Sequence, residues 1–290
     1  MKFLFSKYHG AGNDFILMDH RTNPFSLTPD LVKRLCARRT GIGADGLILL
    51  EGSAEVDFTM RYFNSDGGEA TLCGNGARCI LAFASDLGLG NSFRFRAVDG
   101  LHVGKVFTTE ERAAWFESFG KGPADFAYDH SNRMVQVSMP DVAPVESMLG
   151  GQFLNTGSPH FVRFESPADE AQFLRDSLYY RHHENFGAEG TNVNFLSAVP
   201  GGISVRTFER GVEAETLSCG TGVTAAALAY AMEEKRSGKQ FVSVQTKGGF
   251  LWVVFEVDPS SSVPFTNIEL IGPVTKVYEA QSDLALFMPY

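Results

Sequence analysis

Two segments of the chain repeat one another, and this repeat constrains the fold more than any other feature of the sequence. Each segment has the form Cys-Gly-x-Gly after a polar turn, at Cys73–Gly76 and again at Cys219–Gly222. Each then continues into small apolar residues, a pattern that predicts a buried helix with a thiol at its N-terminus. Cys219 lies 146 residues after Cys73 (219 − 73), about half of the 290-residue chain.

The residues around the cysteines repeat in the same order. The loop at Asn13 recurs at Ser158, 145 residues later (158 − 13). The helix predicted over 28–38 has a counterpart at 168–180. This period is far longer than that of a solenoid, so the sequence indicates a duplicated domain.

Predicted strands outnumber predicted helices, and they come in hairpins rather than in regular β-α-β units. We therefore predict a mixed α/β (α+β) fold of two pseudo-symmetric domains, each a curved mixed or antiparallel β-sheet or barrel around a central helix. The predicted domains are 1–130, carrying Cys73, and 131–290, carrying Cys219, with a last strand near 275–290 that is a candidate to return to the first domain. Because ligand sites concentrate in clefts, we expect the active site between the two domains.

The composition describes a globular chain without a nucleic-acid or membrane partner. Apolar residues make up 44% of the chain and charged residues 20%, which argues against disorder. The net charge of −9 and the absence of a basic stripe argue against nucleic acid, and no apolar run is long enough for a signal peptide or a membrane span. The four cysteines are not densely spaced, which indicates free thiols in a reducing compartment. We expect a cytoplasmic protein without a metal site, in which Cys36 and Cys79 are core thiols.

A cysteine at a helix N-terminus lies where unpaired backbone N–H groups and the helix dipole favour anions. Its thiol therefore tends to ionise readily, and neighbouring glycines let a carboxylate approach the backbone. If two such thiols flank the α-carbon of an amino acid, one thiolate can remove the α-proton while the other thiol protonates the opposite face. This inversion needs no cofactor, because the helix ends stabilise the charge that forms. No dinucleotide-binding or phosphate-binding loop competes with this interpretation.

These segments, together with others in the same order, resemble the diaminopimelate epimerase family. The matching motifs are Gly10–Phe15, Gly41–Gly46, Phe63–Gly67, Cys73–Arg78, Asn155–His160, Asn192, Glu209–Gly211 and Cys219–Gly222. The resemblance extends from Tyr8 to about Val274. It implies a cofactor-independent epimerase that interconverts LL- and meso-2,6-diaminopimelate, in lysine and peptidoglycan-precursor synthesis.

The resemblance also implies a role for each matching residue. Cys73 and Cys219 become the proton-transfer pair, and His160 and Glu209 tune the two thiols. The residues implied to bind substrate are Asn13, Asn64, Gly74, Asn75, Ser158, Asn192, Glu209, Arg210, Gly220 and Thr221. Of these, the residues at the two helix ends would hold the reacting carboxylate. Asn64, Asn192 and Arg210 would hold the distal carboxylate, with Glu209 facing the distal amine.

Some positions depart from the family pattern. Ser158 stands where asparagine is common, and Gly46 lacks the side-chain amide of some members. The segments 97–100 and 108–129 match poorly, and within the second the sequence indicates only a short helix over 110–116. These departures leave open how strictly the substrate is selected.

Other functions also remain open. A cysteine-pair racemase of proline, hydroxyproline or glutamate would share the two thiols, but a cyclic substrate has no distal carboxylate for Arg210. An isomerase of the phenazine-biosynthesis type uses a carboxylate in place of the thiols, which Cys73 and Cys219 argue against. Outside the enzymes, the chain could be a dithiol redox switch or an amino-acid-binding module. We expect a small-molecule substrate, and the sequence leaves open whether the chain forms a homodimer.

Overall fold

The structure, a computed structural model, describes residues 1–22, 24–70, 73–120 and 133–288. The helices are α1 Pro29–Cys36, α2 Gly74–Asp86, α3 Thr109–Ser118, α4 Glu170–Arg181 and α5 Gly220–Glu233. The strands are β1 Lys2–Gly10, β2 Asn13–Asp19, β3 Gly46–Glu51, β4 Phe58–Asn64, β5 Glu69–Ala70, β6 Ser92–Ala97, β7 Gly100–Val106, β8 Arg133–Ser138, β9 Glu146–Met148, β10 Gly151–Asn155, β11 Pro159–Arg163, β12 Asn192–Val199, β13 Gly202–Glu209, β14 Ala214–Thr216, β15 Gly238–Thr246, β16 Gly249–Val257 and β17 Phe265–Asp283.

The predicted helices form where capping residues mark their starts. Thr28 caps α1, accepting a hydrogen bond from the Leu31 N–H at 3.3 Å. This helix ends at Cys36, two residues earlier than predicted, because Ala37 takes an extended conformation with ψ 119°. The short helix predicted over 110–116 is confirmed as α3, which begins with a Thr108–Glu111 capping box. The rest of the poorly matching segment, from 121 to 129, lies outside the described residues.

Unit 1 consists of Met1–Val137 and Gly272–Tyr290. Its eight main strands pair in the order β1-β2-β3-β4-β6-β7-β8-β17, and β17 pairs back with β1. The β2–β3 and β4–β6 pairs are parallel, while the hairpins between them are antiparallel. These pairings close the strands into a mixed barrel, which confirms the predicted fold class for this unit.

Unit 2 consists of Ser138–Ile271. Its strands pair in the order β9-β10-β11-β12-β13-β15-β16-β17, and β11–β12 and β13–β15 are the parallel pairs. The Met139 N–H donates to the Ile268 carbonyl at 2.8 Å, which ties the segment before β9 to β17. The two units therefore repeat the same strand order, and the predicted duplication is confirmed.

Each unit surrounds one helix that is buried on nearly every side. In unit 1, α2 contacts β1, β2, β3 and β7, and all its residues from Gly74 to Ala84 are buried. In unit 2, α5 contacts β10 to β13, β15 and β16, and the run Ala225–Ala229 is fully buried. The small glycine and alanine side chains let the strands approach closely, and a helix as apolar as α5 is stable only in such an interior. The predicted central helix is confirmed in both units.

Two further expectations concern domain boundaries and membranes. The compact units divide after Val137 and return Gly272–Tyr290 to unit 1. The domains 1–130 and 131–290 and the cleft between them stay predictions. Within the described ranges, no helix is long and apolar enough to cross a membrane.

Candidate active site

Cys73 occupies the N-cap position of α2, as the sequence predicts. Its backbone is extended, with φ −97° and ψ 122°, and its side chain makes no capping hydrogen bond. The thiol is half-buried, while the next residues, Gly74 and Asn75, are buried. The first turn of an α-helix leaves backbone N–H groups without intrahelical partners, so this end of α2 favours an anion.

Asn13 connects Cys73 to the hairpin between β1 and β2. Its side-chain oxygen accepts a hydrogen bond from the Cys73 thiol at 3.7 Å and another from the Asn75 amide at 3.4 Å. Its own amide donates to a carboxylate oxygen of Asp45 at 2.7 Å. Because Asp45 can only accept, it holds the Asn13 amide with its oxygen toward the thiol.

Two carboxylates near Asn13, those of Asp14 and Asp45, are paired with basic side chains. Arg38 donates to both Asp14 oxygens, at 2.8 and 3.1 Å, and the Lys7 ammonium lies 2.8 Å from one of them. Burial alone would raise the pKa of the Asp14 carboxyl, but the bonds from Arg38 and Lys7 hold that pKa well below its usual range. Arg38 also reaches Asp45 at 2.5 Å. This ion cluster supports the Asn13 loop, and the Asp14 carboxylate is not suited to take a proton from a substrate.

Asn64 ends β4 and is exposed. Its side-chain oxygen accepts a hydrogen bond from the Tyr62 hydroxyl at 2.6 Å, which leaves the amide hydrogens directed away from that contact. Gly46 makes room for the Tyr62 ring, since a Cβ at position 46 would lie 2.6 Å from a ring carbon of Tyr62. The missing side chain at position 46 and the phenol at position 62 are therefore linked features of this chain.

Cys219 repeats the placement of Cys73 in unit 2. It is the N-cap residue of α5, with φ −118° and ψ 114°, and it makes no side-chain capping bond. The thiol is more buried than that of Cys73, with 8% of the residue exposed. Its sulfur lies 3.4 Å from the hydroxyl oxygen of Thr221, the second residue of α5.

A chain of hydrogen bonds fixes the direction of the Thr221 hydroxyl. Thr207 donates to the Asn194 side-chain oxygen at 2.9 Å, so the Asn194 amide faces Nδ1 of His160 at 3.1 Å. His160 Nδ1 is therefore the acceptor, and Nε2 carries the hydrogen that faces the Thr221 oxygen at 2.9 Å. The Ser158 hydroxyl donates to the same oxygen at 3.1 Å. The Ser158 oxygen also lies 3.0 Å from Nε2. Because the Thr221 oxygen accepts from Ser158, the Thr221 hydrogen is left to donate to the Cys219 sulfur, where it would stabilise a thiolate.

His160 is neutral in this arrangement. Its side chain is fully buried. Burial lowers the pKa of His160 to about 3, the charge of Arg210 acts in the same direction, and the bond from Asn194 opposes it. The imidazole therefore serves as a fixed hydrogen-bond donor at neutral pH rather than as a cation.

Asn192 and Arg210 meet where β12 begins and β13 ends. The Asn192 amide donates to the Pro159 carbonyl at 2.8 Å, and its oxygen accepts from the Arg210 backbone N–H at 2.8 Å. Among the described residues, the one ion pair of the Arg210 guanidinium is a long contact of 4.0 Å to Glu189, which is 91% exposed. The Arg210 charge is thus available to an anionic ligand.

Glu209 ends β13 directly before Arg210 and is half-buried. The turn that follows depends on backbone conformations with positive φ, 88° at Gly211 and 57° at Glu213. The Glu213 N–H closes the turn by donating to the Glu209 carbonyl at 2.9 Å. This turn fixes the positions of Glu209 and Arg210.

The structure divides the predicted residues between the two units. Unit 1 contains Asn13, Asn64, Cys73, Gly74 and Asn75, and unit 2 contains Ser158, His160, Asn192, Glu209, Arg210, Cys219, Gly220 and Thr221. Sequence reasoning missed Asn194 and Thr207, which orient His160. The alternation of β12 offers a signal for Asn194, because residues 192 and 194 lie on one face of the strand.

Comparison with known proteins places the chain in one family. The chain matches the family model described as diaminopimelate epimerase over residues 5–126 and 152–275. It is 40% identical to the diaminopimelate epimerase of Flavobacterium psychrophilum, over 94% of this chain and 97% of that protein. It is 39% identical to the diaminopimelate epimerase of Chlorobaculum tepidum, over 93% of this chain and 97% of that protein.

Solved structures share the fold at much lower identity. A Bacillus anthracis phenazine biosynthesis protein of the PhzF family superposes with a TM-score of 0.69 at 13% identity, over 98% of this chain and 99% of that chain. A hydroxyproline epimerase from Agrobacterium vitis superposes with a TM-score of 0.63 at 12% identity, over 97% and 92%. Identities this low indicate a common two-domain fold and do not identify the reaction.

Proposed function

Because the chain belongs to the diaminopimelate epimerase family, we propose that it interconverts LL- and meso-2,6-diaminopimelate by moving a proton at one α-carbon. The observation that carries this proposal is the repeated placement of a cysteine thiol. Cys73 and Cys219 each stand at the N-cap of a buried helix, and neither sulfur is used to cap it. The same chemistry is thereby available twice in one chain.

In the proposed reaction, one cysteine is a thiolate and the other a thiol. The thiolate takes the α-proton, and the electron pair of the C–H bond stays on carbon. The second thiol gives its proton to the opposite face of that carbon, so the configuration inverts and the two sulfurs exchange protonation states. No electrons leave the system, and the reverse reaction uses the same groups in exchanged roles.

The carbanion-like transition state needs charge stabilisation, because an α-proton is a weak acid. The backbone N–H groups at the starts of α2 and α5, near Gly74, Asn75, Gly220 and Thr221, would bind the reacting carboxylate. These donors are fixed before the reaction, so they need not reorganise as charge develops. The Thr221 hydroxyl would add a donor to Cys219 when that sulfur is the thiolate.

Recognition of the distal end would separate diaminopimelate from simpler amino acids. Arg210 offers a guanidinium that is only loosely paired, and Asn192 holds the backbone beside it. Asn64 would contribute its amide hydrogens, since Tyr62 occupies its oxygen. A carboxylate is well matched by these donors, and Glu209 would accept from the distal ammonium group. We assign the activity to lysine and peptidoglycan-precursor synthesis in the cytoplasm.

Deuterium exchange tests the proposal directly. We expect the protein, incubated with meso-diaminopimelate and a reductant in deuterated water, to place solvent deuterium at one α-carbon without added cofactor. Exchange with proline or glutamate but not with diaminopimelate would redirect the substrate assignment. Absence of exchange with any amino acid would favour a redox switch or a binding module.

Single cysteine variants test which thiols are needed for the deuterium exchange. Cys73→Ala and Cys219→Ala should each abolish epimerisation while the fold stays intact, as measured by circular dichroism. Cys36→Ala is the matched control, because it removes a buried thiol that packs in the apolar core of unit 1. Full turnover by Cys73→Ala would contradict the two-base mechanism.

A further inference from the structure

Arg78 is a fully buried cation on α2 that the reaction described above does not use. None of its side chain is exposed to solvent. It donates to the Gly74 carbonyl at 3.2 Å and to the Asn75 side-chain oxygen at 2.8 Å, and its Nε makes no hydrogen bond within the described ranges. Both acceptors are neutral. Buried charges are normally paired, so a guanidinium without an anion calls for an explanation.

The nearby carboxylates do not supply that anion. Among the residues that the structure describes, no salt bridge joins Arg78 to an acidic group. Asp14, on the adjacent strand β2, is bound to Lys7 and Arg38. Burial lowers the pKa of the Arg78 guanidinium to about 10, which still leaves it charged at neutral pH, and the thiols of Cys79 and Cys73 act to raise it.

Of these two thiols, only one can become the anion. Cys79 is fully buried, and burial raises the pKa of its thiol far above the ordinary range despite the opposing charge of Arg78. Cys73 is half-buried at the start of the helix, one residue before Gly74. The groups that hold Arg78, the Gly74 carbonyl and the Asn75 side chain, follow Cys73 directly in the chain.

We propose that Arg78 is a positioning residue whose buried guanidinium is the counter-ion of the Cys73 thiolate. This inference rests on the proposed function, in which Cys73 alternates between thiol and thiolate. The Asn13 oxygen accepts from the Cys73 thiol and so favours its protonated form. Arg78 offsets that preference from inside the barrel, and its bond to the Asn75 oxygen directs the Asn75 amide toward Asn13.

The equivalent position in unit 2 shows why the cation is needed only in unit 1. Thr224 lies five residues after Cys219, as Arg78 lies five after Cys73, and its hydroxyl donates to the Gly220 carbonyl at 3.0 Å. It therefore repeats the hydrogen bond of Arg78 without the charge. In unit 2 the Thr221 hydroxyl donates to the Cys219 sulfur. In unit 1 the group that contacts the Cys73 sulfur is the Asn13 side-chain oxygen, which can only accept. A cation supplies in unit 1 what a hydroxyl supplies in unit 2.

Space for the guanidinium is also provided. A Cβ at Gly10 on β1 would lie 3.3 Å from Nη2 of Arg78 and 3.6 Å from the Cys79 sulfur. Most other titratable groups on the strands that contact α2 are paired, namely Lys7 with Asp14, Tyr8 with Asp86, Asp19 with Arg21, Glu51 with His20, His102 with Asp99 and Lys105 with Glu111. His9 lies opposite Asp14 in the register of β1 and β2. Arg78 is thus the cation that the barrel interior presents to the start of α2.

The test measures how the alkylation of Cys73 by iodoacetamide depends on pH, with peptide mapping to separate the cysteines. In the unmodified protein, the midpoint of Cys73 alkylation should lie below the value of about 8.5 that is ordinary for a free cysteine. Arg78→Met removes the charge at similar length and should slow alkylation at pH 7 about tenfold or more. Arg78→Lys keeps the charge and should restore most of that rate. Thr224→Val, the matched change in unit 2, should leave Cys73 unaffected.

A midpoint at or above the ordinary value in the unmodified protein would overturn the inference without any variant, even if Arg78→Met fails to fold. A folded Arg78→Met protein with an unchanged midpoint would also overturn it. Deuterium exchange in the unmodified protein separates this outcome from failure of the proposed function. If deuterium exchanges but the midpoint of Cys73 alkylation is ordinary, only the role of Arg78 is refuted. If the midpoint is lowered but no deuterium exchanges, only the proposed substrate is refuted.

Discussion

Gly222→Ala is the most informative single change in unit 2, because it displaces His160 without removing any functional group. A Cβ at this position would lie 2.6 Å from the Asn194 side-chain oxygen, well short of the 3.4 Å at which ordinary contact begins. The same atom would lie 3.2 Å from Cε1 of His160 and 3.3 Å from the Thr207 hydroxyl oxygen. Asn194 must therefore move by most of an ångström, and His160 must follow, because Asn194 holds its Nδ1.

The expected loss is in turnover more than in stability. Alanine is favoured over glycine in a helix by about 1 kcal/mol, while overpacking a core costs about 1–3 kcal/mol, so the two effects partly cancel. A displacement of this size in a catalytic arrangement can lower kcat by about 100-fold. We expect a folded protein with a melting temperature within several degrees of the unmodified one and with kcat reduced about 10- to 100-fold.

The assay follows loss of the α-proton signal of meso-diaminopimelate in deuterated water by NMR, at saturating substrate. Gly76→Ala is the matched control, since it changes the equivalent third residue of α2. There the added Cβ would lie 3.0 Å from the terminal carbon of Ile48, a flexible apolar side chain that can move aside. Gly76→Ala should keep kcat within a few-fold. Equal kcat for the two folded variants would refute the role assigned to the His160 hydrogen-bond chain.

Three further outcomes are expected. Thr221→Val breaks the link from His160 to Cys219 and should lower kcat about tenfold, whereas Thr221→Ser should retain it, as steady-state kinetics would show. His160 has a pKa of about 3 in the folded protein against 6.5 ordinarily. Between pH 3 and pH 6.5, His160 is therefore protonated in the unfolded chain but not in the folded one. Stability should therefore fall as pH drops from about 6.5 toward 3, by up to about 1.4 kcal/mol per pH unit, and His160→Gln should flatten this slope in urea unfolding. Tyr62→Phe frees the Asn64 amide to rotate and should raise KM about tenfold with kcat unchanged; an unchanged KM would exclude a role for that contact.

The sequence predicted the parts of the fold that depend on local patterns. Glycines and small apolar residues after Cys73 and Cys219 indicated helices with thiols at their starts, and both thiols are N-cap residues. Thr28 and Pro29 likewise marked the start of α1. The short strands β5, β9 and β14 were missed, because segments of two or three residues have no readable period and exist only through their partners.

The hydrogen-bond partners were not predictable in the same way. Asn194 reaches His160 across 34 positions in the chain, and Thr207 reaches Asn194 across 13. Such pairs form only after strands align, so no local pattern identifies them. Arg78 was visible beside the cysteine motif, but its complete burial follows from the barrel around it. An arginine in a sequence is ordinarily expected at the surface.

The long strand β17 has a consequence for synthesis of the chain. Its first residues belong to unit 2, and from Gly272 onward it becomes the barrel strand that covers β1 in unit 1. At ribosomal rates of about 5–20 residues per second, the roughly 135 residues between Val137 and Gly272 take about 7 to 27 seconds to emerge. During that interval the outer edge of β1 has no neighbour and can capture a strand from another nascent chain. The barrel of unit 1, most of which is translated first, therefore cannot close until the last strand has been translated.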